Sequence, residues 1–159
     1  MKRGFVDKTG KQLIPTTYDF VSSFQDGLAK VILHDKTGFV DHRGNFVIPT
    51  DYQELSFFQE GFAAAKKDGK WSFIDKNNQP LTAFTFDQAA DFKDNLGAVK
   101  TSTGWGFINR TGDLVIKPKY DSVSAFSGGI AIIKFKGATG AINRDGHYVL
   151  PAKMDYQSI

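Results

Sequence analysis

Apolar pairs recur along the chain at a fixed interval. Phe5-Val6, Phe39-Val40, Phe73-Ile74, Phe107-Ile108 and Ala141-Ile142 lie 34 residues apart, with no insertion between them. A constant period of this size marks a repeat architecture. Aromatic and β-branched residues at these positions predict a first strand. Asp7, Asp41, Asp75, Asn109 or Asn143 follows, and Gly10, Gly44, Asn78, Gly112 or Gly146 comes three residues later. That is turn chemistry, and the Gly or Asn predicts a left-handed backbone there. A second short strand is predicted at Leu13-Ile14, Val47-Ile48, Leu81-Thr82, Val115-Ile116 and Val149-Leu150. Pro15, Pro49, Pro118 and Pro151 are expected to end it, because proline cannot donate to a ladder.

An arm comes next, with apolar residues spaced i, i+3, i+6: Tyr18, Val21, Phe24; Tyr52, Leu55, Phe58; Phe86, Ala89, Phe92; Tyr120, Val123, Phe126. The spacing suits a single helical turn, with a twisted short strand as the alternative. The arm closes on Gly27, Gly61, Asn95 or Gly129. A third strand follows, and its second residue stays small: Ala29, Ala63, Gly97, Ala131. That smallness predicts close approach of a backbone or an aromatic face. Asp68-Gly69 and Lys136-Gly137 read as tight hairpin loops into the next copy. Each unit thus reads as a three-stranded antiparallel meander with a pinned arm.

The same period occurs in helical tetratricopeptide arrays. Here turn residues interrupt the chain about every ten positions, which leaves no room for helices of ordinary length. The expected fold is all-β: tandem repeats of short antiparallel strands stacked as an open solenoid-like array, with a small β-propeller as the alternative. One repeat domain, 1–159, divides into repeats 4–37, 38–71, 72–105, 106–139 and a partial 140–159. The two ends overlap in phase and do not complement each other, which favours the open form. Gly4 enters the unit partway through, so the chain is expected to be a piece of a longer protein. One unit buries too little apolar surface to offset its own ordering, so stability is expected to come from contacts between units.

Trp71 with Lys70 before it, and Gly104-Trp105-Gly106-Phe107-Ile108, come with a recurrent Ile-Pro, Tyr-Asp and Phe-x-x-Gly-Leu-Ala run. With these motifs, essentially the whole chain resembles the bacterial WG-repeat (KWG-repeat) family. Arg3, Thr37 and Thr139 stand where that family has Trp, Ser72 stands where it has Gly, and Thr82-Ala83 replaces Ile-Pro. Looser packing is expected in those copies. The resemblance implies β-rich repeats in bacterial proteins, often envelope-associated or fused to other domains. It implies no catalytic residues and no agreed ligand.

Composition changes this picture little. Fifteen Phe among 159 residues reflect the repeat, and the net charge of +3 is too weak to argue for nucleic acid. The absence of Cys excludes disulfide and thiolate chemistry. Neither a secretion signal nor a membrane-length apolar run is visible, so bacterial cytoplasm and cell envelope both remain as locations. His34, His42 and His147 occupy three unrelated positions of the unit, and Ser22-Ser23 has no evident base beside it. No enzyme and no cofactor are expected; a hydrolase in an unusual pocket is the remote alternative. The Asp7, Asp41, Asp75 row could be imagined to bind calcium, but the turn already accounts for those carboxylates.

Two basic ladders are the candidate binding residues. Lys8, His42, Lys76, Arg110 and Arg144 share one turn position; Lys66, Lys100 and Lys134 share one outward strand position, where the first copy has Ile32. Stacking would align them into positive rows, opposed by Asp26, Glu60 and Asp94. Rows of lysine also simply guard sheet edges. Trp71 and Trp105 are expected to pack between units. The expected function is a non-catalytic scaffold that binds another protein over an extended surface. The alternative is a glycan- or envelope-binding module that uses the lysine rows and exposed aromatics, with an anionic glycan or polymer as its partner.

Overall fold

The computed structural model describes residues 3–6 and 12–153, with side chains from Tyr18 to Ala152. No described residue is helical. The chain forms β1 (Arg3–Val6) and β2 (Gln12–Tyr18), then β3 (Phe20–Val21), β4 (Ala29–Leu33), β5 (Lys36–Val40) and β6 (Phe46–Tyr52). It continues with β7 (Glu54–Leu55), β8 (Ala63–Lys67) and β9 (Lys70–Ile74), then β10 (Gln88–Lys93), β11 (Leu96–Thr101), β12 (Gly104–Ile108) and β13 (Leu114–Tyr120). The last set is β14 (Ser122–Val123), β15 (Ile130–Phe135), β16 (Ala138–Asn143) and β17 (Tyr148–Lys153).

These strands make five antiparallel sheets in chain order: β1-β2, β3-β4-β5-β6, β7-β8-β9, β10-β11-β12-β13 and β14-β15-β16-β17. The arm is therefore not a helical turn. Asp19 N–H donates to Ile32 O (2.8 Å) and Ser22 N–H to Lys30 O (2.9 Å), which draws the arm into the sheet as a fourth, outer strand. Its far end closes by narrow bridges, Gln25 with Leu28, Gln59 with Phe62 and Ser127 with Ile130. Each four-stranded sheet takes its first two strands from one sequence repeat and its last two from the next, and β7-β8-β9 takes two strands from one repeat and one from the next. A repeat unit is thus split between two sheets and completes neither.

The sheets stack in a row, joined by apolar layers. Leu28, Phe39 and Ile48 of the second sheet meet Leu55, Ala63, Ala65 and Ile74 of the third. Ala64 and Phe73 meet Phe92, Val99 and Ile108, and then Phe107 and Ile116 meet Phe126, Ala131, Ile133 and Ile142. Alternation along a strand explains the division of labour: the Phe of each pair points to the following sheet, and its β-branched neighbour to the preceding one. The arm phenyl of the next sheet receives that Phe, at 5.4 Å between centroids for Phe39–Phe58 and 4.7 Å for both Phe73–Phe92 and Phe107–Phe126. Among the described residues, the substantial contacts between sheets join neighbours in the row, and none ties the first pair to the last sheet. The result is an all-β array of repeat sheets of the solenoid or propeller kind.

The turn reading holds wherever the turn is described; Asp7 and Gly10 lie outside those residues. Asp41 Oδ1 accepts the N–H groups of Arg43 (2.9 Å) and Asn45 (3.0 Å), and Asp75, Asn109 and Asn143 do the same in their copies. Asn78 has φ 62° where Gly44 has 81°. Asp68-Gly69 and Lys136-Gly137 both carry the paired positive φ of a two-residue hairpin.

Three local expectations need correction. Pro15, Pro49, Pro118 and Pro151 do not end the second strand but lie inside β2, β6, β13 and β17. The ladder shifts register beside them, so each sits in a bulge of an outer strand, where no N–H is required. The bulge brings backbone so close that a Cβ on Gly38 would lie 2.4 Å from Ile48 O, and one on Gly106 the same distance from Ile116 O. The third copy has no second strand: Leu81-Thr82 belongs to an irregular segment tied by isolated bridges of Ile74 with Pro80 and Trp71 with Phe86. Nor is packing looser at the buried departures. Thr37 and Ser72 are buried, and Ser72 Oγ bonds Thr82 O (3.0 Å) and Thr82 Oγ1 (2.7 Å). The serine and the lost Ile-Pro form one compensated change.

Candidate functional site

The turn ladder lies beside the arm aromatics. The His42 imidazole stacks on Phe24 at 4.0 Å and 14°. Lys76 Nζ stands 5.8 Å from the Phe58 ring, and the Arg110 guanidinium 4.9 Å from Phe62. Arg110 Nη1 also donates to Glu60 O at 2.6 Å. Arg144 is exposed, and Lys8 lies outside the described residues. Three of these side chains thus roof the aromatic arm as well as carrying charge. Cation–ring contacts of this exposed kind contribute about 0.5–1 kcal/mol each.

The acidic row joins sheets. Glu60 accepts the N–H groups of Asp94 (3.0 Å) and Asn95 (2.8 Å) with its two carboxylate oxygens, and Asp94 Oδ2 accepts Gly129 N–H at 3.0 Å. Glu60 and Asp94 therefore each cap the arm turn of the following sheet. The sequence shows the row; the offset of one repeat between acid and cap exists only in three dimensions.

The strand ladder is not uniform. Lys66 lies opposite Trp71 and Glu54, and its ammonium is 3.6 Å from the Glu54 carboxylate. Lys100 faces Trp105 and Gln88, whereas Lys134 faces Thr139 and Ser122. The charge is balanced across the strand in the third sheet but not in the fourth or fifth. Trp71 and Trp105 are half-buried and pack against the apolar layers.

Several charged residues were not singled out from sequence. Lys30 Nζ sits 4.4 Å from the Phe57 ring; burial pushes its ammonium pKa down, while Asp91 and Glu54 oppose the shift. Lys119 and Lys136 lie around the Phe135 ring, at 5.8 and 5.3 Å. Neither belongs to a row shared by all copies, so the periodic signal passes over them. The Tyr120 hydroxyl is pushed up to about 12, first by burial and then by Tyr148. A shallow crevice between the second and third sheets is lined by Gln25, Asp26, Leu28, Phe39, Phe57, Phe58 and Lys76. Among the described residues no three His, Asp or Glu side chains gather as a metal would need, and no helix is long and apolar enough to cross a membrane.

The architecture has counterparts among solved structures. The N-terminal domain of Nup159 superposes with a TM-score of 0.53 at 13% identity, over 85% of this chain and 43% of that one. The chain therefore spans less than half of that domain, and at this identity the likeness concerns the fold alone. A protein of unknown function from Bacteroides caccae aligns over 92% of this chain and 73% of its own, at 15% identity and a TM-score of 0.39. No curated protein matches the chain. The family model for the WG containing repeat matches four times, at residues 4–36, 38–71, 71–102 and 105–137. With four matches across most of its length, the chain belongs to the WG containing repeat family.

Proposed function

We propose that the array is a non-catalytic scaffold that binds another protein across the rims of successive sheets. One observation carries this reading. The recurrent polar residues that recur in phase serve the fold: the Asx residues hold their own turns, and Glu60 and Asp94 cap the neighbouring sheet. Other outward positions instead change from copy to copy, as at the exposed strand position held by Phe20, Glu54, Gln88 and Ser122. A constant frame with a varying surface is how stacked repeats present an extended recognition face. The glycan-binding alternative has less support, because both tryptophans are half-buried against apolar layers instead of standing free as platforms for a sugar.

The test is affinity capture with the intact array, repeated with Lys66, Lys100 and Lys134 all changed to Gln. A discrete protein should be retained, and its retention should weaken in the variant and in added salt. Retention of a polysaccharide in place of a protein would favour the alternative. Turnover of any substrate by the purified chain would overturn the non-catalytic reading.

A further inference from the structure

The last two sheets carry a basic cluster that the other copies lack. Lys119 Nζ lies 5.4 Å from the Tyr120 ring and 5.8 Å from the Phe135 ring, and Lys136 Nζ lies 5.3 Å from that same Phe135 ring. Lys117 and Lys134 are exposed nearby on β13 and β15, and Lys134 has Ser122 across the strand where Lys66 has Glu54. None of the four forms an ion pair with a described residue. Asp121 is the acid among them, and its Oδ2 already accepts Gly137 N–H at 3.1 Å. In the second repeat, Asp51 and Asp68 stand where Lys119 and Lys136 stand here. The same surface is thus balanced in one copy and strongly positive in another.

Lys136 is costly to the fold. It has φ 51° at a hairpin position where Asp68 has 52°. Asn, Asp and Gly suit that conformation, and a long side chain does not. Its ammonium and that of Lys119 both lie against the Phe135 ring, and no described carboxylate pairs with either.

We infer that this cluster binds an acidic peptide segment of a protein partner, an assignment that rests on the scaffold reading above. Lys117 and Lys119 are both exposed and flank Pro118 in the bulge of β13, the outer strand of its sheet. With Lys134 and Lys136 they set four positive charges on one surface, which carboxylates of a partner would balance. Pro118 between Lys117 and Lys119 removes a backbone donor, so recognition runs through the ammonium groups and not through strand addition. Single-stranded nucleic acid fits less well. Tyr120 is buried, and the Phe135 ring already carries two lysines, so neither offers a free stacking face.

The experiment measures fluorescence anisotropy of a short labelled peptide alternating Glu and Ser, against its Gln-for-Glu twin, an oligo-dT strand and heparin. The intact chain should bind the Glu peptide in a salt-sensitive way and ignore the Gln twin. A variant with Lys119→Gln, Lys134→Gln and Lys136→Asn should lose about tenfold or more in affinity, whereas Lys36→Gln should stay within about twofold. Lys136→Asn relieves the hairpin, so an unchanged or higher Tm in the triple variant separates lost binding from lost folding. Equal affinity for the Gln twin, undiminished binding by the triple variant, or tighter binding to oligo-dT or heparin would overturn the assignment. In the capture experiment, a partner retained equally by wild type and triple variant would overturn the patch but leave the scaffold standing. Capture of no protein at all would overturn the scaffold reading itself.

Discussion

Gly97 shows how tightly single positions are constrained. A Cβ there would lie 2.6 Å from Phe92 Cε1 and 2.9 Å from Phe73 Cζ, between two fully buried rings. Gly97→Ala should therefore destabilise the chain by about 1–3 kcal/mol, the usual cost of overpacking, read as a lower urea midpoint. Alanine at the equivalent Ala63 is tolerated, so an unchanged midpoint would mean that the rings yield. Ser72 makes a complementary case. Ser72→Ala would remove the bonds that the buried Ser72 hydroxyl makes to Thr82, at a cost of about 0.5–1.5 kcal/mol. The Tyr120 hydroxyl supplies a pH signal. Its folded value is raised, so its contribution is whole below about pH 10, its unfolded pKa, and is lost as pH rises toward about 12. Tyrosinate absorbance should report a late-titrating group in the intact chain, and removing Tyr148 should move that titration to lower pH while burial still holds it above the ordinary tyrosine value.

At the level of elements, the joint between sheets is the informative unit. Glu60 links the third sheet to the fourth by two charge-assisted bonds to the Asp94–Asn95 turn, and Arg110 closes back onto Glu60 O. Because these groups are exposed, Glu60→Ala should cost about 1 kcal/mol. Its clearer effect should be faster amide exchange at Asp94 and Asn95 than at Asp41-capped turns elsewhere. Equal exchange in mutant and wild type would show that the apolar layer alone sets the joint. The second strand tells a related story. Its proline is accommodated because the bulge lifts that residue off the ladder, and the glycine across from it is required by the backbone's approach. In the third copy both features are gone together, and Ser72 fills the space.

Across the whole molecule, stability follows position in the row. Ala63, Ala64 and Ala65 are all buried because sheets cover both faces of β8. Among the described residues nothing packs on the outer face of the final sheet, and Ile132 and Leu150 are 50% and 47% exposed. Hydrogen exchange should therefore be slowest in β8, β9, β11 and β12 and fastest in β17, with the gradient of a linear array. Uniform protection along the chain would point instead to a single cooperative core.

The period, the strand-forming pairs, the capped turns and the left-handed glycines and asparagines were all set locally, by residues that act within a few positions of one another. Those features were legible without coordinates, and so was the small third-strand site, because a constraint repeated in every copy leaves a visible row. The family, too, followed from motifs held in phase. Tertiary structure alone decided how the units are cut. Only contacts in three dimensions reveal that the arm is a fourth strand, that Glu60 and Asp94 cap the next sheet, and that Ser72 answers a missing Ile-Pro. It also decided which lysines are free, since whether a charge is balanced depends on what lies across the strand, a relation that spacing along one chain does not contain.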